Sequence, residues 1–106
     1  MPVVVLRAEL LTPQARSLKE KRSPISSLKA RLRNRVGASV AEVAHQELLG
    51  RAAIEVAIAA SDAGALRGLA EKAERLIRGA RDAELLRLSA EFVELSDGGG
   101  GEACWP

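Results

Sequence analysis

The chain has 106 residues, 47% of them hydrophobic and 28% charged, and a net charge of +2. That is enough for one domain with one core and too apolar for a disordered chain, while no uncharged apolar run approaches the roughly 20 residues of a membrane span. The single cysteine, Cys104, rules out an internal disulfide, and with one histidine there is no Cys/His set for zinc.

The charge is unevenly placed. Residues 1–35 carry nine Lys/Arg against Glu9 and Glu20, a balance of +7, whereas residues 36–106 carry seven against twelve acids, a balance of −5. The opening Met1-Pro2-Val3-Val4-Val5-Leu6-Arg7 has no basic leader and no small-residue cleavage signature, so a cytoplasmic setting without membrane attachment is expected. Residues 1–96 read as one domain, and the glycine-rich stretch 97–106 reads as a flexible tail.

Residues 3–11 form a β-rich run in which Val4, Leu6, Ala8 and Leu10 share a face. After the turn-like Thr12-Pro13-Gln14-Ala15, the segment Ser17-Leu18-Lys19-Glu20 has the spacing of a capping box, which starts a helix. Leu18, Ile25, Leu28, Leu32 and Val36 then fall within about 80° on a helical wheel, and Gly37 stands where a left-handed cap is wanted. Pro24 leaves two starts open: a helix from 17 that runs through the proline, which the pattern favours, or one capped by Ser23 with Pro24 in its first position.

Two strands are predicted at 38–44 and 51–60, joined by the short connection 45–50. Ser61 and Asp62 open a second helix whose apolar set is Leu66, Leu69, Ala70, Ala73, Leu76 and Ile77. Glu71–Arg75 and Glu74–Arg78 are favourable (i, i+4) pairs on its wet side, and Gly79 ends it. A last strand spans 84–95, with Leu86, Leu88, Ala90 and Phe92 predicted inward and Arg87, Ser89, Glu91 and Val93 outward. Phe92 is expected in the core.

The order βαββαβ predicts an α+β, ferredoxin-like domain, a four-stranded antiparallel sheet with two helices on one face. Its open face would mix Val3, Val5, Ala53, Ala57, Ala59, Leu85 and Val93 with Arg7, Glu9, Glu55, Arg87 and Glu91. Val3, Val5, Ala57 and Val93 are the expected contacts of a homodimer or partner on that face.

Three segments taken together, Ser17-Leu18-Lys19-Glu20-Lys21-Arg22, Leu32-Arg33-Asn34-Arg35 and Ser39-Val40-Ala41-Glu42-Val43, give a resemblance over residues 2–95. The chain resembles the YlxP-like proteins, domain-of-unknown-function family 503. The resemblance implies a ferredoxin-like fold, a bacterial cytoplasmic setting and, for some members, genes beside those of translation initiation and ribosome maturation factors. It implies no established activity. The sequence departs from the family pattern at Pro24 and in its glycine-rich tail.

On a continuous first helix, Lys19, Arg22, Ser26, Lys29 and Arg33 stack along one flank of the apolar stripe, with Arg31 and Arg35 on the other. The expectation is a basic track that follows the phosphates of ribosomal or other structured RNA. The competing expectation is a solvated helix face whose charges are met by acidic neighbours. Base stacking on the central strands is not expected, because those positions hold Val, Ala, Arg and Glu instead of rings. His45 has no partner nucleophile or ligand set at useful spacing and reads as a hairpin residue in water; no glycine-rich anion loop follows the first strand. Accordingly no catalytic residue, metal ligand or cofactor is expected, and the chain reads as a non-enzymatic accessory protein.

Overall fold

The computed structural model describes residues 1–94, and the expected tail at 97–106 lies outside them. The elements are β1 (Pro2–Leu11), α1 (Leu18–Val36), β2 (Ser39–Ala44), β3 (Arg51–Ala59), α2 (Ala63–Arg78) and β4 (Glu84–Glu94). The strands make one antiparallel sheet in the order β2-β3-β1-β4, the ferredoxin-like arrangement. Alternation in β1 places Val4, Leu6 and Ala8 opposite Ile58, Val56 and Ile54 of β3. Ile25, Leu28, Leu32 and Val36 of α1 and Leu66, Ala73 and Ile77 of α2 close over them. Each large aliphatic so buried contributes about 1.5–3 kcal/mol.

The first helix is continuous. Ser17 is its N-cap and accepts from the Glu20 N–H at 3.1 Å, while the Glu20 carboxylate reaches back to the Arg16 N–H at 2.9 Å. The box thus closes one residue earlier than the usual reciprocal pair. Pro24 sits inside the helix, where it removes one bond to the Glu20 carbonyl without ending it. At the far end Gly37 takes a φ of +72°, and the N–H groups of Gly37 and Ala38 bond the carbonyls of Arg33 and Leu32. That double closure is a Schellman cap. In α2, Asp62 caps at 2.8 Å from the Ala65 N–H, Glu74 meets Arg78 at 2.8 Å, and Glu71–Arg75 does not close to within an ion-pair distance. Gly79 ends α2 with a φ of −91°, so no left-handed cap is involved.

Two bulges shift the expected facing. In β4, Glu9 pairs with Arg87 but Leu10 pairs with Leu85, so Leu86 is the extra residue. Leu85 therefore turns inward against the core and Leu86 turns out, the reverse of the expected alternation. In β2 the register slips between Glu42 and Ala44, which leaves Val43 exposed. Ala53 lies on the open face as expected, yet it is buried: it sits between Glu9 and Ala44, where the side chains of His45 and Arg51 converge. Phe92 is not a core residue. It stands on the helix side of the edge strand, opposite Val4, and is 62% exposed at the rim of an open groove beside Ala63 and Leu66 of α2.

Replacing Gly37 by alanine puts a Cβ into a left-handed backbone position, at a cost of about 1–2 kcal/mol. Urea unfolding of Gly37→Ala should show that loss with an unchanged denaturant slope.

Candidate nucleic-acid interface

The basic residues of α1 divide into one that is consumed by the fold and others that are not. Lys21 is 3% exposed. Its ammonium donates to the carbonyls of His45 (2.6 Å), Leu48 (2.7 Å) and Gln46 (3.4 Å), and Glu42 Oε2 lies 3.4 Å away as a charge partner without hydrogen-bond geometry. On the helical wheel Lys21 falls at about 20° inside the arc defined by Leu28 and Leu32. Its four methylenes cross the apolar stripe and deliver the charge to the β2–β3 loop. The same loop is held from the other side by Thr12, whose hydroxyl donates to Leu49 O at 2.7 Å and whose N–H donates to Gly50 O at 2.9 Å.

This loop forms one wall of a cleft of about 350 Å³ against α1, lined by Leu18, Lys21, Arg22, Ile25, Ser26, Lys29, Glu42 and Gln46. Leu18 is itself exposed, so the stripe begins functionally at Lys21 and Ile25. Of the expected track, Arg22, Ser26 and Lys29 lie together in the cleft, with Lys19 exposed one turn earlier. Arg33 is occupied in part: its guanidinium donates to Val40 O at 3.1 Å and fastens the end of α1 to β2. Arg31 is half-buried and Arg35 exposed. Among the described residues, Lys19, Arg22, Lys29, Arg31 and Arg35 have no carboxylate within 4.0 Å.

The open sheet face is zoned. At one end Val3 and Val5 of β1 lie between Ala57 and Ala59 of β3 and Val93 of β4; Val3, Val5, Ala57 and Val93 are the residues expected at a partner contact, and with Ala59 they form a small apolar area. At the other end Arg7 bonds Glu9 (3.0 Å) and Glu55 (3.3 Å), and Glu9 also meets His45 (3.2 Å) and Arg51 (3.5 Å). His45 is therefore not a solvated hairpin residue: with φ at +62° it opens the loop and turns its ring onto Glu9. Burial pushes the Glu9 carboxyl up, but hydrogen bonds from Arg7 and His45 and their charges outweigh it and hold the group below its usual value. Among the described residues no group of three His, Cys, Asp or Glu is placed to hold a metal ion. Nor, among the described residues, is any helix long and apolar enough to cross a membrane.

The profile of the family described as protein of unknown function (DUF503) matches residues 3–90. The chain belongs to the DUF503 family. That match takes in every element from β1 to the middle of β4, including all the α1 cations and the Lys21 latch, so the candidate interface of this DUF503 chain lies wholly inside the family region. No curated protein matches it. Among solved structures, the de novo designed protein Ferredog-Diesel is similar over 84% of this chain and 83% of its own, at 22% identity and a TM-score of 0.48.

Two outcomes are expected of the groups just described. Lys21→Met keeps the apolar stem but leaves three carbonyls and Glu42 without their cation, and should cost about 3–5 kcal/mol in chemical denaturation. Glu9 is a carboxylate with a depressed pKa, so its stabilisation is present above the unfolded-state value and is lost as pH falls through the folded one. Unfolding measured between about pH 6 and pH 2 should show Glu9→Gln with a shallower acid dependence than the parent chain.

Proposed function

We propose that this protein is a non-enzymatic RNA-binding accessory that grips the phosphates of structured RNA with the outer face of α1. The observation that carries the reading is the set of α1 cations left without carboxylate partners while the helix runs unbroken through Pro24. Exposed lysines and arginines that their own fold does not neutralise keep their attraction for an external polyanion, and release of the counterions condensed on that polyanion supplies the free energy. The two ends of the track differ in role. Arg22 and Lys29, with Ser26 between them in the cleft, are the anchoring contacts; Lys19, Arg31 and Arg35 extend the positive field along the helix.

Base stacking does not enter the proposal. The central strands present Val3, Val5, Arg7 and Glu9 from β1 and Glu55, Ala57 and Ala59 from β3, and the charged ones are spent on one another. Contacts to phosphate and sugar alone give affinity and orientation with little reading of base sequence. The neighbouring translation-initiation and ribosome-maturation genes that the YlxP-like resemblance implies for some members agree with such a ligand.

Binding to a structured RNA should fall steeply with added salt, with a logarithmic slope of about −3 for four neutralised phosphates. Changing Lys19, Arg22 and Lys29 together to glutamate should abolish it, without disturbing Arg33, whose bond to Val40 O is structural. Filter binding across a salt series reads both effects; an affinity indifferent to salt, or one that survives the triple reversal, would overturn the reading.

A further inference from the structure

The two edges of the sheet are not equally protected. The β2 edge is six residues long, bulged at Val43 and tied at Val40 O to Arg33. The β4 edge is eleven residues long, and among the described residues nothing pairs with its outer side. Proteins that remain single guard such an edge above all with proline or lysine, and also with other charges, bulges or a covering element. Glu84–Glu94 contains neither residue, and its one bulge, at Leu86, leaves the stretch from Arg87 to Glu94 regular. Leu86, Phe92 and Val93 are all exposed along it, and Phe92 borders an apolar groove of about 340 Å³ beside Leu66 and Ala63 of α2.

We infer that β4 pairs antiparallel with β4 of a second copy of this chain, with Ser89 opposite Ser89 on the twofold axis. The charge pattern selects both the occupant and the register. Arg87 and Glu91 stand two residues either side of Ser89 and share its face of the sheet, so this pairing sets Arg87 against the partner's Glu91 and Glu91 against the partner's Arg87. A pairing centred on Ala90 sets Arg87 against the partner's Val93, and one centred on Leu88 sets Glu91 against the partner's Leu85; either forfeits both ion pairs. On the helix side, Leu88 meets the partner's Ala90, and Phe92 extends over the start of the partner strand. The product is a continuous eight-stranded sheet whose four helices lie on one side.

This contact differs from a face-to-face dimer through Val3, Val5 and Ala57, and the two separate cleanly in experiment. Sedimentation equilibrium of the full chain should show a dimer at micromolar concentration. Glu91→Arg sets arginine against arginine twice and should weaken the dimer by about tenfold or more, and adding Arg87→Glu should restore it to within about threefold of the parent. Ala57→Arg, on the open face, should leave it unchanged. Because Arg87 also lies beside Glu9 and the double variant could lose stability for that reason, Ser89→Cys in a Cys104→Ala background reads the same contact without altering charge. Only a residue on the axis faces its own copy within disulfide reach, so mild oxidation should give a covalent dimer. A chain that stays monomeric at about 200 μM, a dimer broken by Ala57→Arg but not by Glu91→Arg, or a Ser89→Cys variant that does not cross-link would each overturn the assignment.

Discussion

The fold turns on a cation placed where hydrocarbon is expected. Lys21 occupies the middle of the buried stripe of α1, and its ammonium is surrounded by the carbonyls of His45, Gln46 and Leu48 and the carboxylate of Glu42. A buried charge without such partners costs several kcal/mol, and buried carbonyls without donors cost comparably. Each side of this arrangement is tolerable only because of the other. With Thr12 taking the Leu49 and Gly50 carbonyls, the β2–β3 loop is tied by backbone oxygens to a helix on one side and to the end of β1 on the other.

That latch positions what lies around it. It sets the loop beside α1, which creates the cleft containing Arg22, Ser26 and Lys29, and it presents His45 to Glu9 on the opposite face of the sheet. One short loop therefore joins the two charged regions of the molecule. On the helix side Lys19, Arg22, Lys29, Arg31 and Arg35 have, among the described residues, no carboxylate within 4.0 Å; on the open face Arg7 and Arg51 meet the carboxylates of Glu9 and Glu55. The same residue types serve different ends because of where the pleat and the helix turn point them.

Much of the fold was legible in the sequence because its signals are local and repeated. The alternation of Val4, Leu6, Ala8 and Leu10, the capping box at Ser17 and the glycine at position 37 each correspond to an observed feature. The errors arose where tertiary geometry overrides a period. A single bulge at Leu86 exchanges the facing of Leu85 and Leu86, and periodicity carries no mark of where an extra residue is inserted. Phe92 looked like core by chemistry and phase, but burial also requires cover from the helix layer, and an open groove is left between Phe92 and Leu66 of α2. The basic residues of α1 were visible as a set, yet counting charges could not separate Lys21 and Arg33, which hold backbone carbonyls, from their neighbours. For Lys21 a signal did exist: a lysine on the apolar arc is either misplaced or partnered. The Glu9 cluster was less accessible, since it joins residues from β1, β3 and the loop that only the strand register brings together.

The Lys21 latch also bears on how the molecule opens. Because one ammonium joins the first turn of α1 to the hairpin loop, neither can separate from the other without breaking all three of its bonds to the loop carbonyls at once. Fraying of the helix start and release of the hairpin are thereby merged into a single cooperative unit, and the amides of both should exchange with solvent through the same excursion. A proline in a helix removes a backbone hydrogen bond; here the turn just before Pro24 carries Lys21, whose ammonium clamps it to the hairpin loop.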